Sequence, residues 1–182
     1  MTSRAKIGLI GAGWWATSNH LPVLHERGDI ELTGVCRLGK DELQQVKNRF
    51  GFTHATEHYQ ELLDIPGLQG VVVASPHTLH YQHALAALKR GLHVLCEKPL
   101  VWEEHSDSEE LVRKAHELVD IAHARDLHLG MCSQYAAALP HYERVHERSR
   151  GAVESPSSFF VEMETLARGR HRRPEEIWVD LG

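Results

Sequence analysis

Two short stretches of the chain hold residue types that chemistry would use. The first is Gly11-Ala12-Gly13-Trp14-Trp15-Ala16, a G-x-G-x-x-A pattern directly after the apolar run KIGLI. In such a pattern the first glycine permits a tight turn, the second lets a diphosphate approach the backbone, and the small third residue lets helix and strand pack closely. Free N–H groups at the start of the following helix favour phosphate oxygens. A glycine turn that only packs has the same letters. Placed between a strand and a helix near the start of the chain, the pattern points to dinucleotide binding. The second stretch is LHVLCEKPL, residues 92–100, where an apolar strand ends in Glu97 and Lys98 and stops at Pro99. By residue type this is either a surface ion pair, worth little, or an ammonium group held at a strand end to stabilise a developing alkoxide. Pro99 biases Lys98 toward extended backbone and so fixes its exit from the strand.

The elements that must position these residues follow from apolar patterning. Lys6–Ile10, Ile30–Cys36, Gly70–Ser75 and the run ending at Cys96 read as buried strands, with a short extended piece at Thr53–Ala55 and a further strand at Leu127–Cys132. Helices are predicted from Trp14 to about Arg27 with an interruption near Pro22, and over Asp41–Phe50, His58–Leu63, Thr78–Arg90, Ser106–Arg125 and Pro140–Arg148;. Strands alternating with helices imply parallel pairing and a doubly wound, mostly parallel α/β sheet of the Rossmann type. Ligands of such sheets sit outside the carboxyl ends of the strands.

The end of the second strand speaks to cofactor choice. An NAD site wants an acid there, but the chain reads Val35-Cys36-Arg37-Leu38-Gly39-Lys40. A guanidinium at Arg37 suits a 2′-phosphate, which favours NADP. Asp41 and Glu42 keep NAD open. Trp14 and Trp15 are expected to shape the cofactor cleft. His80, at a helix start, either touches cofactor or substrate or caps its helix. Tyr135, just past the last strand, is a candidate substrate contact. His77, His80 and His83 recur every third residue, which is not the i, i+4 spacing of a helical metal pair, so no metal site is expected.

Composition narrows the function classes. The 182 residues are 42% hydrophobic and 25% charged, with net charge −5. No global field attracts nucleic acid or an anionic membrane, and no apolar run has the roughly 18 residues needed to span a bilayer. Three cysteines without CxxC spacing are read as reduced thiols of a cytoplasmic protein;. After about Ala136 the βα rhythm ends. Ser158–Thr165 (SFFVEMET) reads as a strand without a closing βα unit, followed by a basic loop, ARGRHRRPEE, and by IWVDLG. The expected division is a dinucleotide-binding domain over residues 1–136 and, from 137 to 182, the incomplete beginning of a second, α+β domain.

IGLIGAGWWATSNHLPVL and VVVASPHTLHYQHALAALKRGLHVLCEKPL, in this order and at this spacing, resemble the glucose–fructose oxidoreductase and inositol dehydrogenase (Gfo/Idh/MocA) family over most of residues 6–136. The resemblance implies hydride transfer between a nicotinamide cofactor and a secondary hydroxyl or carbonyl of a sugar- or cyclitol-like substrate. It implies that Lys98 binds the reacting oxygen and relays its proton, that Glu97 positions Lys98 and the cofactor loop, and that Ser75, Pro76 and His77 line the cofactor site. His77 stands where the family often has asparagine, and GMCSQY lacks the arginine or asparagine often seen there. Asp180-Leu181-Gly182 matches the first three positions of a D-x-G-x-H motif whose histidine would lie two positions beyond, so a truncated second domain is expected. A complete one would serve substrate binding and homo-oligomer formation. The alternative is a non-catalytic nucleotide-sensing module that binds a partner through its tail.

Overall fold

The computed structural model describes residues 4–152. The expected strand Ser158–Thr165, the loop ARGRHRRPEE and the segment IWVDLG lie outside them. Two compact units divide the chain, Met1–Cys132 and Ser133–Gly182.

The first unit is built on six parallel strands in the order β3-β2-β1-β4-β5-β6. These are β1 (Ala5–Ile10), β2 (Ile30–Cys36), β3 (His54–Thr56), β4 (Gly70–Val73), β5 (His93–Cys96) and β6 (Leu129–Met131). Between them run a π-helical turn (Ala16–His20) leading into α1 (Leu21–Glu26), then α2 (Lys40–Phe50), α3 (Tyr59–Leu63), a 3-10 turn (His77–Leu79) leading into α4 (His80–Lys89), and α5 (Ser108–Ala124). This is the doubly wound Rossmann arrangement. Its strand order reverses between β1 and β4, where such sheets open a crevice.

Burial on both faces explains why the strands read as unbroken apolar runs. Alternate side chains enter opposite layers. Leu9, Val35 and Val72 pack with Ala12, Ala16, Leu21, Leu43, Val46 and Phe50 beneath α1 and α2. Their neighbours Ile10, Cys36, Val71 and Val73 pack with Leu62, Leu88, Val94 and Leu118 beneath α3, α4 and α5.

The register sets the functional edge. Ile10 pairs with Cys36 and with Val73, Cys36 with Thr56, Val73 with Cys96, and Cys96 with Met131. The strands therefore end at one level, and the next residues form a row along the carboxyl rim: Glu57, Arg37, Gly11, Ala74, Glu97 and Cys132. The ladder continues through this row. The amides of Gly11, Arg37, Ala74, Glu97 and Cys132 donate to the carbonyls of Cys36, Thr56, Ile10, Val73 and Cys96, respectively.

Most element ends differ from expectation by a residue or two, and two of the differences have a clear physical reason. Asp107, expected inside the helix from Ser106, is instead the cap of α5: its carboxylate accepts the Glu110 amide at 2.8 Å;. In the second unit, α6 spans Gln134–Arg150 with Pro140 in its interior rather than starting at Pro140. A proline can begin a helix without loss, and here the helix gives up one backbone bond to continue through it. Among the described residues no helix is long and apolar enough to cross a membrane.

The crevice turn gives a contrast in stability. Gly11 has φ +94°, and a Cβ there would lie 2.3 Å from the Ser75 amide nitrogen. A Cβ on Gly13 would meet nothing within 4 Å. Gly11→Ala is expected to cost about 2 kcal/mol or more, and Gly13→Ala less than about 1 kcal/mol. Urea unfolding of the two variants beside the parent checks this.

Candidate functional site

In the rim row, at the end of β5, Glu97 is a carboxylate only 8% exposed. Its Oε1 accepts the indole N–H of Trp15 at 2.7 Å and lies 2.6 Å from His20 Nε2. Its Oε2 accepts the backbone amide of Lys98 at 3.2 Å. The local helix geometry makes this possible. In an α-helix, residues five apart point about 140° away from each other. The turn over Ala16–His20 is π-helical, with the Leu21 amide reaching back to Ala16 O, and i→i+5 closure brings residues five apart onto one face. Trp15 and His20 therefore converge on one oxygen.

These contacts decide the charge of Glu97. Burial works against ionisation, but hydrogen bonds from His20 and Trp15, the charge of His20 and the Lys98 amide outweigh it and hold the carboxyl down at about 2. Cys132, the next residue along the rim, has a thiol pushed up to about 11 by burial and by the Glu97 charge. His20, Glu97 and Cys132 bring three potential ligand atoms within 4.8 Å of one another. With the imidazole already on the carboxylate and the thiol kept protonated, they form a hydrogen-bonded cluster around a fixed negative charge.

The cluster joins the two sequence stretches. Glu97 is tied to the helix that opens at the glycine turn, and it holds the amide of Lys98, which is half-buried ahead of a cis Lys98–Pro99 bond. On the other side of β1, Arg37 lies over the turn: Nη1 donates to Ala12 O at 3.2 Å and Nε to Leu38 O at 3.1 Å. Gly11, Gly13, Trp14, Trp15, Ala16 and Arg37 thus surround one end of the crevice, with Trp14 72% exposed and Ala16 buried. The residues fit a dinucleotide. A positive-φ glycine brings β1 and β4 together, and the second glycine leaves open space beside the helix start.

The far wall is Ser75-Pro76-His77, following β4. Ser75 is buried, Pro76 exposed and His77 half-buried. Ser75 Oγ is 2.9 Å from His83 Nδ1, and His83 is driven down to about 4 by burial and by the charge of His80. His80 is 0% exposed, beneath this wall and not on it. Tyr135 belongs to α6 in the second unit. Sequence reasoning missed His20, Cys132 and His83. The signal for His20 was its spacing of five from Trp15, which α-helical periodicity discards. Cys132 could have been found by counting one residue past each strand.

A protein-family model described as an oxidoreductase family with an NAD-binding Rossmann fold (GFO_IDH_MocA) matches residues 5–126. The chain is similar to the D-glucoside 3-dehydrogenase of Escherichia coli K12, 35% identical over 98 residues, covering 54% of this chain and 28% of that protein. It is also similar to the glucose-6-phosphate 3-dehydrogenase of Bacillus subtilis, 40% identical over 95 residues, 52% of this chain and 26% of that protein. Among solved structures it resembles KijD10, a 3-ketoreductase from Actinomadura kijaniata in complex with TDP-benzene and NADP, in its open conformation. There the TM-score is 0.70 at 26% identity, over 83% of this chain and 45% of that one. The aligned parts span less than half the length of each of these proteins.

The depressed carboxyl gives a pH signature. A group whose folded value lies below its unfolded one stabilises the fold fully above the ordinary value, 4.5, and loses that contribution as the pH falls toward about 2;. Glu97→Gln is expected to cost roughly 2 kcal/mol at neutral pH. The gap from the parent should narrow across that acid window in urea unfolding. A gap independent of pH would contradict the assignment.

Proposed function

Because the chain belongs to the Gfo/Idh/MocA family of oxidoreductases with an NAD-binding Rossmann fold, we propose that it binds a nicotinamide dinucleotide across the β1/β4 crevice. In this reading it serves hydride transfer at a secondary hydroxyl or carbonyl of a sugar- or cyclitol-like substrate. The observation that carries the reading is the shared anchor: one buried carboxylate binds both the helix after the glycine turn and the backbone of Lys98. The sugar dehydrogenases and the NADP-bound ketoreductase to which the chain is similar support the substrate and cofactor classes.

A bound nicotinamide would supply the hydride acceptor or donor. The chain's own residues manage the rest. The glycine turn and the helix start bind the diphosphate, which the backbone can approach because Gly13 has no side chain. Arg37 binds the 2′-phosphate of NADP in preference to the bare ribose of NAD, its guanidinium already resting on the turn;. Ser75, Pro76 and His77 wall the nicotinamide end. Lys98 holds the reacting oxygen and stabilises it as an alkoxide, its Nζ taking the hydroxyl proton on oxidation and returning one to the oxygen on reduction. Glu97 positions Lys98 and is too strongly ionised to exchange protons itself near neutrality. Tyr135 contributes to substrate binding. The first unit serves as the dinucleotide-binding domain, and residues beyond it belong to a domain for substrate binding and homo-oligomer formation.

Titration with NADPH and NADH, followed by tryptophan fluorescence, tests the cofactor assignment. NADPH should bind more tightly, and Arg37→Asp should invert the preference. Equal affinity in the parent would overturn the role of Arg37. Lys98→Ala should keep NADPH affinity within about threefold and lower sugar oxidation by about 100-fold or more. Unchanged turnover would remove Lys98 from the chemistry, and cofactor binding without turnover in the parent would favour a nucleotide-sensing module.

A further inference from the structure

His80 is the first residue of α4, yet its side chain has no exposed surface. Its Nδ1 lies 2.7 Å from Pro99 O and its Nε2 lies 2.8 Å from Ser75 O. A peptide carbonyl only accepts, and a neutral imidazole carries a single N–H. Two carbonyl partners at these distances require both ring nitrogens to donate. With only one proton, a nitrogen lone pair would face an oxygen lone pair in a place that water does not reach, and a buried unmade bond is costly.

The two carbonyls belong to the two loops that bound the site. Ser75 follows β4 and abuts Gly11 at the crevice. Pro99 follows Lys98 at the end of β5. The groups around the ring come from both sides. His77 meets it edge-on, with ring centroids 5.7 Å apart. His83, one turn along α4, faces it in a form held neutral and grips the Ser75 hydroxyl. On the other side, the loop after β5 that supplies the Pro99 carbonyl carries Lys98 and the ionised Glu97 one and two residues before it. Ser75 is thus held twice from α4, by hydroxyl and by carbonyl, and the second grip extends to the residue after Lys98.

We propose that His80 is a positioning residue: its ring, donating from both nitrogens, staples the loop carrying Lys98 and Pro99 to the Ser75 wall and fixes the width of the gap between Lys98 and the cofactor site. The staple itself is a statement about the chain alone. Only its consequence for turnover rests on the function proposed above.

Nitrogen-15 NMR of the histidine rings in the 182-residue chain, with no cofactor present, reads the staple directly. His80, assigned by its absence in His80→Gln, should show a slowly exchanging proton on each ring nitrogen at neutral pH. A single ring N–H would overturn the proposal, whatever the outcome of cofactor titrations. Amide hydrogen exchange then separates positioning from packing. In His80→Leu the amides of Leu79, Glu97 and Lys98 should exchange about tenfold faster, relative to those of Val72 and Val35, than in the parent. His80→Gln, which keeps one donor group, should restore part of the protection. A uniform rise across the sheet would mean that His80 only fills the core.

Discussion

A single ionised carboxylate, buried at the carboxyl edge of a parallel sheet, ties the site together. Such a group is costly unless it is surrounded by donors, and Glu97 obtains them from separate parts of the chain: the Trp15 indole, the His20 imidazole and the Lys98 amide. The requirement works in both directions. The carboxylate needs the helix after the glycine turn to sit where it does, and that helix brings the G-x-G-x-x-A turn to the crevice. It also needs Lys98 to leave β5 with its amide turned inward, which sets the direction of the loop ending at Pro99.

The sheet supplies the platform. Parallel strands buried on both faces must keep one register, since a slip by one residue would exchange the two apolar layers. With the register fixed, the residue after each strand is fixed too, and chemistry-bearing side chains line up without any need for proximity in sequence. Glu97 and Cys132 are far apart in the chain and adjacent along the rim, and Arg37 stands in the same row on the other side of the crevice. Histidines on α4 add a second layer of control under the rim, with His83 on the Ser75 hydroxyl and His80 between the Ser75 and Pro99 carbonyls.

Much of this was legible in the sequence, because the strongest signals are those of elements buried on both sides. The runs KIGLI, IELTGVC and GVVVAS announced strands, and the glycine turn and the Glu97-Lys98-Pro99 stretch announced the two halves of the site. What stayed hidden depended on geometry that periodicity does not encode. Trp15 and His20 share a face only because the turn between them is π-helical. His80 reads as a cofactor or substrate contact or as a cap at a helix start, and it is instead fully buried with its ring nitrogens on two loop carbonyls. Asp107 caps α5 from outside, since its side chain competes for a free amide, and α6 runs through Pro140 at the loss of one hydrogen bond.

The central claim is that His20 and Glu97 act as one unit, and a double-mutant cycle measures that most directly. His20→Asn, Glu97→Gln and the double variant would be compared with the parent by urea unfolding at neutral pH. If the pair is the anchor described here, the combined cost will fall short of the sum of the single costs by roughly 1.5–3 kcal/mol, the coupling of a hydrogen-bonded charged pair. Costs that simply add would mean that the imidazole and the carboxylate do not depend on each other, and the account of the site would fail.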